Sequence, residues 1–211
     1  MDLEEREVKN FSHVMGCLHR LNIVVDELAT LYKVRQEKEW RFVSQHLFRI
    51  YHMGLMYIFI LEYCKLLEGD DGRKTDHWGS LTKLNEKIKK VHPSYQNYNV
   101  VKTKIDELYN SNFHMKYIKT LRDSTFAHLD KKGDPFKVKS FDDSQFAIAK
   151  THVKQMIEIL NLCGQVYSSH YQIEFDDQST ERFINKYAEL TETRDEIVNR
   201  MLNKLRTPKA I

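Results

Sequence analysis

The chain has 211 residues, enough for one domain or one domain with an appended element; 41% are hydrophobic and 30% charged. That apolar share supports a sizeable core and argues against wholesale disorder, and only seven Gly and three Pro leave room for long helices. Net charge is +3, but residues 81–139 hold twelve Lys and one Arg against six acids, +7, which leaves −4 for the rest; this hints at a polyanionic partner, and a solvated lysine face gives the same pattern.

Cys17, Cys64 and Cys163 are far apart, odd in number and set on apolar stripes. They read as reduced core thiols of a cytoplasmic protein. Nothing near Cys64 in sequence would activate it as a nucleophile. The acidic start, Met1 to Glu7, has no signal-peptide character. The most apolar run, Leu47 to Leu61, is 15 residues long and contains Arg49 and His52. A membrane span needs about 20 mostly apolar residues, so this run predicts a buried helix and no membrane partner.

Helical spacing predicts a first helix from about Leu3 to Lys33, with Phe11, Met15, Leu18, Leu21, Val25, Leu28 and Tyr32 on one face. A second, about Glu37 to Leu67, places Val43, Leu47, Ile50, Gly54, Tyr57, Leu61 and Cys64 on one side. Phe48, Tyr51, Leu55, Ile58 and Phe59 make the other side apolar as well. Such a helix should be surrounded, by other helices or by a second subunit, which makes it the expected central element. His46 and His52 on it read as satisfied buried polar groups.

Residues 68–76, with two Gly and three Asp, read as an exposed loop. A short helix follows from about Ser80 to Val91, and His92-Pro93-Ser94 stops it. Ser94 or Asn97 is placed to cap the next, about Tyr98 to Tyr109. After Asn110-Ser111-Asn112 another helix carries Phe113, Tyr117 and Leu121. Lys131 to Pro135 ends it. Ser140 with Asp143, or Asp142 alone, starts a helix lined by Phe146, Ala149, Val153, Met156, Leu160, Cys163 and Tyr167, running to about His170. A last, highly charged amphipathic helix has Phe183, Tyr187, Leu190, Ile197, Met201 and Leu205 as its stripe. No stretch alternates with period two. The expected fold is all-α, a bundle of about six or seven helices with long antiparallel members.

The chemistry concentrates in Leu121-Arg122-Asp123-Ser124-Thr125-Phe126-Ala127-His128-Leu129-Asp130. On a helix, Arg122 and His128 lie about 120° apart, so they are not stacked neighbours, but Arg is long and a bend would help. A two-fold dimer through this helix would place two Arg and two His in one cleft. That cleft suits RNA cleavage without a metal. A neutral imidazole accepts the proton of a ribose 2′-hydroxyl, which attacks the adjacent phosphorus. A guanidinium clamps the phosphate oxygens. Asp123 can orient either partner or pair locally with Lys119. The alternative is structural: a core-facing His128 and an Arg122 in a local ion pair. Tyr95 and Tyr98, beside the basic segment, are placed either to stack on bases or to pack. No HExxH, other ligand spacing or Gly-rich phosphate loop appears, so neither metal nor cofactor is expected.

This stretch resembles the HEPN superfamily, α-helical domains of prokaryotic defence and toxin–antitoxin systems, whose signature is Arg, a polar residue, then His after a gap of four to six residues. Arg122, Asp123 and His128 match it with five between, and the flavour Leu-Arg-Asp-x-x-x-Ala-His-Leu-Asp is similar to the abortive-infection, AbiU-like branch. The resemblance implies a HEPN-like domain over residues 1–172, with residues 173–211 as an appended helix. It implies a homodimer through the motif helix and endoribonuclease activity, with Arg122, Asp123 and His128 catalytic. Lys116, Lys119, Lys131 and Lys132 would then hold the RNA backbone. The alternative is a non-catalytic dimeric scaffold for RNA, a nucleotide, an antitoxin or another defence partner.

Overall fold

The computed structural model describes residues 3–36, 46–68, 80–126 and 141–167. Among these, every regular element is helical: α1 (Leu3–Gln36), α2 (His46–Leu67), α3 (Leu81–Val91), α4 (Tyr98–Tyr109), a π-helical turn (Phe113–Ile118) continuing into α5 (Lys119–Phe126), and α6 (Asp143–Gly164). The fold is an all-α bundle. The expected motif residues after Phe126 and the expected last helix lie outside the described residues.

α1 is the element on which others lean. It packs on α2, α6 and α3. Its buried face, Phe11, Val14, Cys17, Leu18, Leu21, Val24, Val25, Leu28 and Leu31, follows the predicted stripe, with Met15 and Tyr32 packed at its edges. Arg20 pairs with Glu62, and the Tyr51 hydroxyl donates to Glu27. Low numbers on α1 therefore meet high numbers on α2, and the two helices are antiparallel.

α2 is apolar on both sides, and the single chain buries one of them. Met56, Phe59, Ile60, Tyr63, Leu66 and Leu67 are buried, while Ile50, Tyr57, Ile58 and Leu61 are exposed. Among the described residues one side of α2 is covered by other helices and the Ile50 side is open, and α1 is the helix on which α2, α3 and α6 all pack. The window Ile50–Leu67 is long and apolar enough to cross a membrane by length and composition, and 44% of it is buried inside the bundle.

Local chemistry sets the remaining ends. The Ser80 hydroxyl accepts from the Lys83 amide and caps α3, while His92 closes it. Asn97 precedes α4 but does not cap it. Its side-chain amide instead donates to the Leu162 carbonyl and to Gln165, tying α4 to the end of α6. Asp142 starts α6 through a reciprocal capping box with Gln145. At one end of the bundle the buried Glu7 accepts from the Tyr167 hydroxyl at 2.6 Å and faces His92 Nε2 at 3.2 Å, which joins α1, α3 and the chain after α6.

Candidate functional site

The predicted motif begins on a short helix, α5. The segment 113–118 is wound as a π-helix, which inserts extra backbone into one turn and shifts the phase of every side chain after it. α5 follows directly and carries Arg122 and Asp123.

Arg122 lies at the rim, with 27% of its side chain exposed. One guanidinium nitrogen, Nη1, donates to Glu68, the residue that follows α2. Nε and Nη2 donate to Asp123 Oδ1 at 2.9 and 2.8 Å. The same guanidinium faces the Cys64 thiol, one turn before Glu68, closely enough to oppose the rise in its pKa. Burial opposes the charge on Arg122, but the Asp123 hydrogen bond and the Glu68 field win, and its pKa is raised. Arg122 also faces the carboxyl end of α2, where the helix dipole favours a cation. Of the two roles open to Asp123, it takes that of partner to Arg122. Glu68 stands in sequence at the head of an acidic, Gly-containing stretch, and nothing local to it signals this contact. Its Oε2 meets Arg122, while Oε1 is buried without a hydrogen-bond partner.

His128, Lys131 and Lys132 lie outside the described residues. Of the other expected RNA contacts, Lys116 is exposed and Lys119 half-buried. Lysines of the basic segment are also engaged within the fold. Lys89 donates to the Pro93 and Tyr95 carbonyls, and Lys104 pairs with Glu158. Tyr95 is buried, with its hydroxyl against the Cys163 sulfur at 3.7 Å, so it packs in the core and offers no face to a base.

Beneath the rim lies a layer of buried rings. His114, on the π-helical turn, is fully buried, and neither ring nitrogen has a hydrogen-bond partner. It stacks on Tyr63 with ring centroids 5.8 Å apart and meets Tyr109 at 5.1 Å. The Tyr63 hydroxyl lies 2.5 Å from His152 Nδ1. Phe113 and Phe141 close the layer. Burial, and then the positive fields of Lys119 and Arg122, push the His114 pKa down to about 4, and His152 adds to them only when it is itself protonated. Burial lowers that of His152 as well. Both imidazoles are held neutral. His114 feels the field of Arg122, but at 0% exposure no RNA hydroxyl reaches it.

The thiols are free and buried, as expected. Burial raises Cys17 to about 11, and Cys64 and Cys163 to about 12, which suppresses the thiolate. No group of three or more His, Cys, Asp or Glu able to hold a metal occurs among the described residues. Compared with protein-family models, with curated proteins and with solved structures, the chain matches none.

Proposed function

We propose that this chain is a metal-independent endoribonuclease of the HEPN type, serving a prokaryotic defence or toxin–antitoxin system. The observation that carries the reading is the state of Arg122. A guanidinium held charged, partly open to solvent and flanked by Asp123 stands on the helix that leads toward His128. In this reading Arg122 clamps a phosphate and His128 takes the 2′-hydroxyl proton. Asp123 orients the guanidinium before the phosphate arrives. Lys116, Lys119, Lys131 and Lys132 hold the backbone, so binding weakens steeply with salt. The exposed stripe Ile50, Tyr57, Ile58 and Leu61 on α2 supports association of two copies, and Glu68 continues it at helical spacing.

The test is cleavage of single-stranded RNA in EDTA by wild type and His128→Ala. Cleavage by wild type and a loss of at least about a hundredfold in the variant are expected. Equal rates in both remove the nuclease reading.

A second reading has its own support. Arg122 already holds two carboxylates, as a structural ion pair would. A non-catalytic dimeric scaffold for RNA, a nucleotide or a defence partner fits that state. Partner binding that survives an Arg122→Ala, His128→Ala double substitution, with no cleavage by wild type, favours it.

A further inference from the structure

Arg122 recognises a phosphate through its guanidinium edges, and all three guanidinium nitrogens now meet carboxylates. A guanidinium offers five N–H donors in a planar fork, and carboxylate and phosphate fit that fork in the same way. Here Nη1 serves Glu68, while Nε and Nη2 serve Asp123. The two acids differ in how easily they yield. Asp123 is 57% exposed and adjacent in the chain, so it can swing aside in water. Glu68 is only 29% exposed and comes from another helix, 54 residues away. Arg122, Glu68 and Asp123 together sum to about −1 beside the carboxyl end of α2, with Lys65 in the last turn of that helix as a partial counterweight, and the two carboxylates are the charges nearest the guanidinium. That field repels an incoming phosphate.

We propose that Glu68 is a gate on the Arg122 site: its carboxylate occupies the place of the RNA phosphate and must be displaced before the site binds. The inference rests on the reading of Arg122 as a phosphate clamp. Three features make Glu68 displaceable rather than fixed. It is the first residue beyond α2, where a small change in backbone dihedrals moves the side chain. It is held through one oxygen. The other oxygen, buried and unpartnered, gains hydration when the carboxylate swings outward. A polyanion displaces it better than a single phosphate, because neighbouring phosphates add their own backbone contacts.

The experiment measures binding of a short single-stranded RNA, by fluorescence anisotropy, to the full chain and to Glu68→Gln, Glu68→Asp and Arg122→Ala. Inorganic phosphate serves as the single-anion control. Glu68→Gln keeps the shape of the side chain and removes its charge. It should bind RNA about fivefold more tightly than wild type, the scale of one partly exposed ion pair. Glu68→Asp, charged but shorter, should fall between them. The gain should vanish when Arg122→Ala is added to Glu68→Gln. Unchanged or weaker binding by Glu68→Gln, with Arg122→Ala still losing affinity, overturns the gate and keeps the phosphate clamp. Wild-type affinity in Arg122→Ala overturns both. Far-UV circular dichroism and a thermal melt of each variant separate these results from unfolding.

Discussion

His114 and Arg122 are eight residues apart on consecutive helical segments, and they live under opposite rules. His114 is sealed among aromatic rings with no hydrogen-bond partner, and its surroundings keep it neutral. Arg122 stands at the rim with two carboxylates and a thiol, and its surroundings keep it charged. The difference teaches where chemistry on a polyanion can happen in this bundle. A neutral, buried imidazole contributes to packing and to sensitivity toward acid. A charged guanidinium that water can reach is the group able to exchange one anion for another. The π-helical turn separates the two environments. It carries His114 into the core, and α5 then presents Arg122 outward.

The sharpest way to break the comparison is to remove the ring between the two buried histidines. Tyr63 is fully buried, stacks on His114 and reaches His152 through its hydroxyl. Tyr63→Ala opens a cavity and strands His152 Nδ1. A loss of about 4 kcal/mol is expected in urea denaturation, the range for aromatic truncation in a core. A loss under about 1 kcal/mol would mean that this layer is not a packed centre of the bundle.

Acid probes the same layer more gently. The folded-state pKa of His114 is depressed to about 4, against an ordinary value of 6.5. Between those values the unfolded chain binds more protons than the folded one. Stability from this group is therefore full above pH 6.5 and is lost as pH falls toward 4. The loss is on the order of 3 kcal/mol, since each tenfold drop in proton affinity on folding is worth about 1.4 kcal/mol. His152, also depressed, acts in the same direction. His114→Leu, which leaves no partner unpaired, should be neutral or stabilising at pH 7 and should flatten the pH profile. The same slope in wild type and variant would place the acid sensitivity elsewhere.

What was legible follows from how each element carries its signal. α1 has a polar side and an apolar side, so its stripe marks which residues face inward. The Asp142 cap was legible because its chemistry is local; Gln145, which completes the box, does not stand out in sequence. α2 is apolar nearly all round, so no polar face marks its phase. Tyr63 on the buried side and Ile50 on the exposed side look alike in sequence, and burial separates them. The π-helical turn covers only six residues, too few for a changed period to show. His152 did carry a signal: it falls on the stripe of Ala149, Val153 and Met156, a polar residue on a core face. At the rim, Arg122 and Asp123 stood out by their chemistry. Glu68 did not, because its partner is 54 residues away and only the packing of α5 on the end of α2 joins them.

The rim should matter least to stability, and that sharpens the contrast further. Glu68 and Arg122 are 29% and 27% exposed, so water screens their attraction and side-chain ordering offsets part of it. Removing Glu68 also relieves the unpartnered Oε1, which works against the loss of the pair. Glu68→Ala should therefore shift the unfolding free energy by less than about 1 kcal/mol in either direction. Arg122→Ala should cost more than Glu68→Ala, because it leaves Glu68 beside the end of α2 without its paired guanidinium. A thermodynamic cycle of the two single variants and the double variant measures the pair itself. A coupling under about 1 kcal/mol is expected, which suits a contact that can open. A coupling of about 3 kcal/mol or more would make the pair a structural clasp, since breaking a tightly buried pair costs that much, and the rim would then obey the same rule as the core.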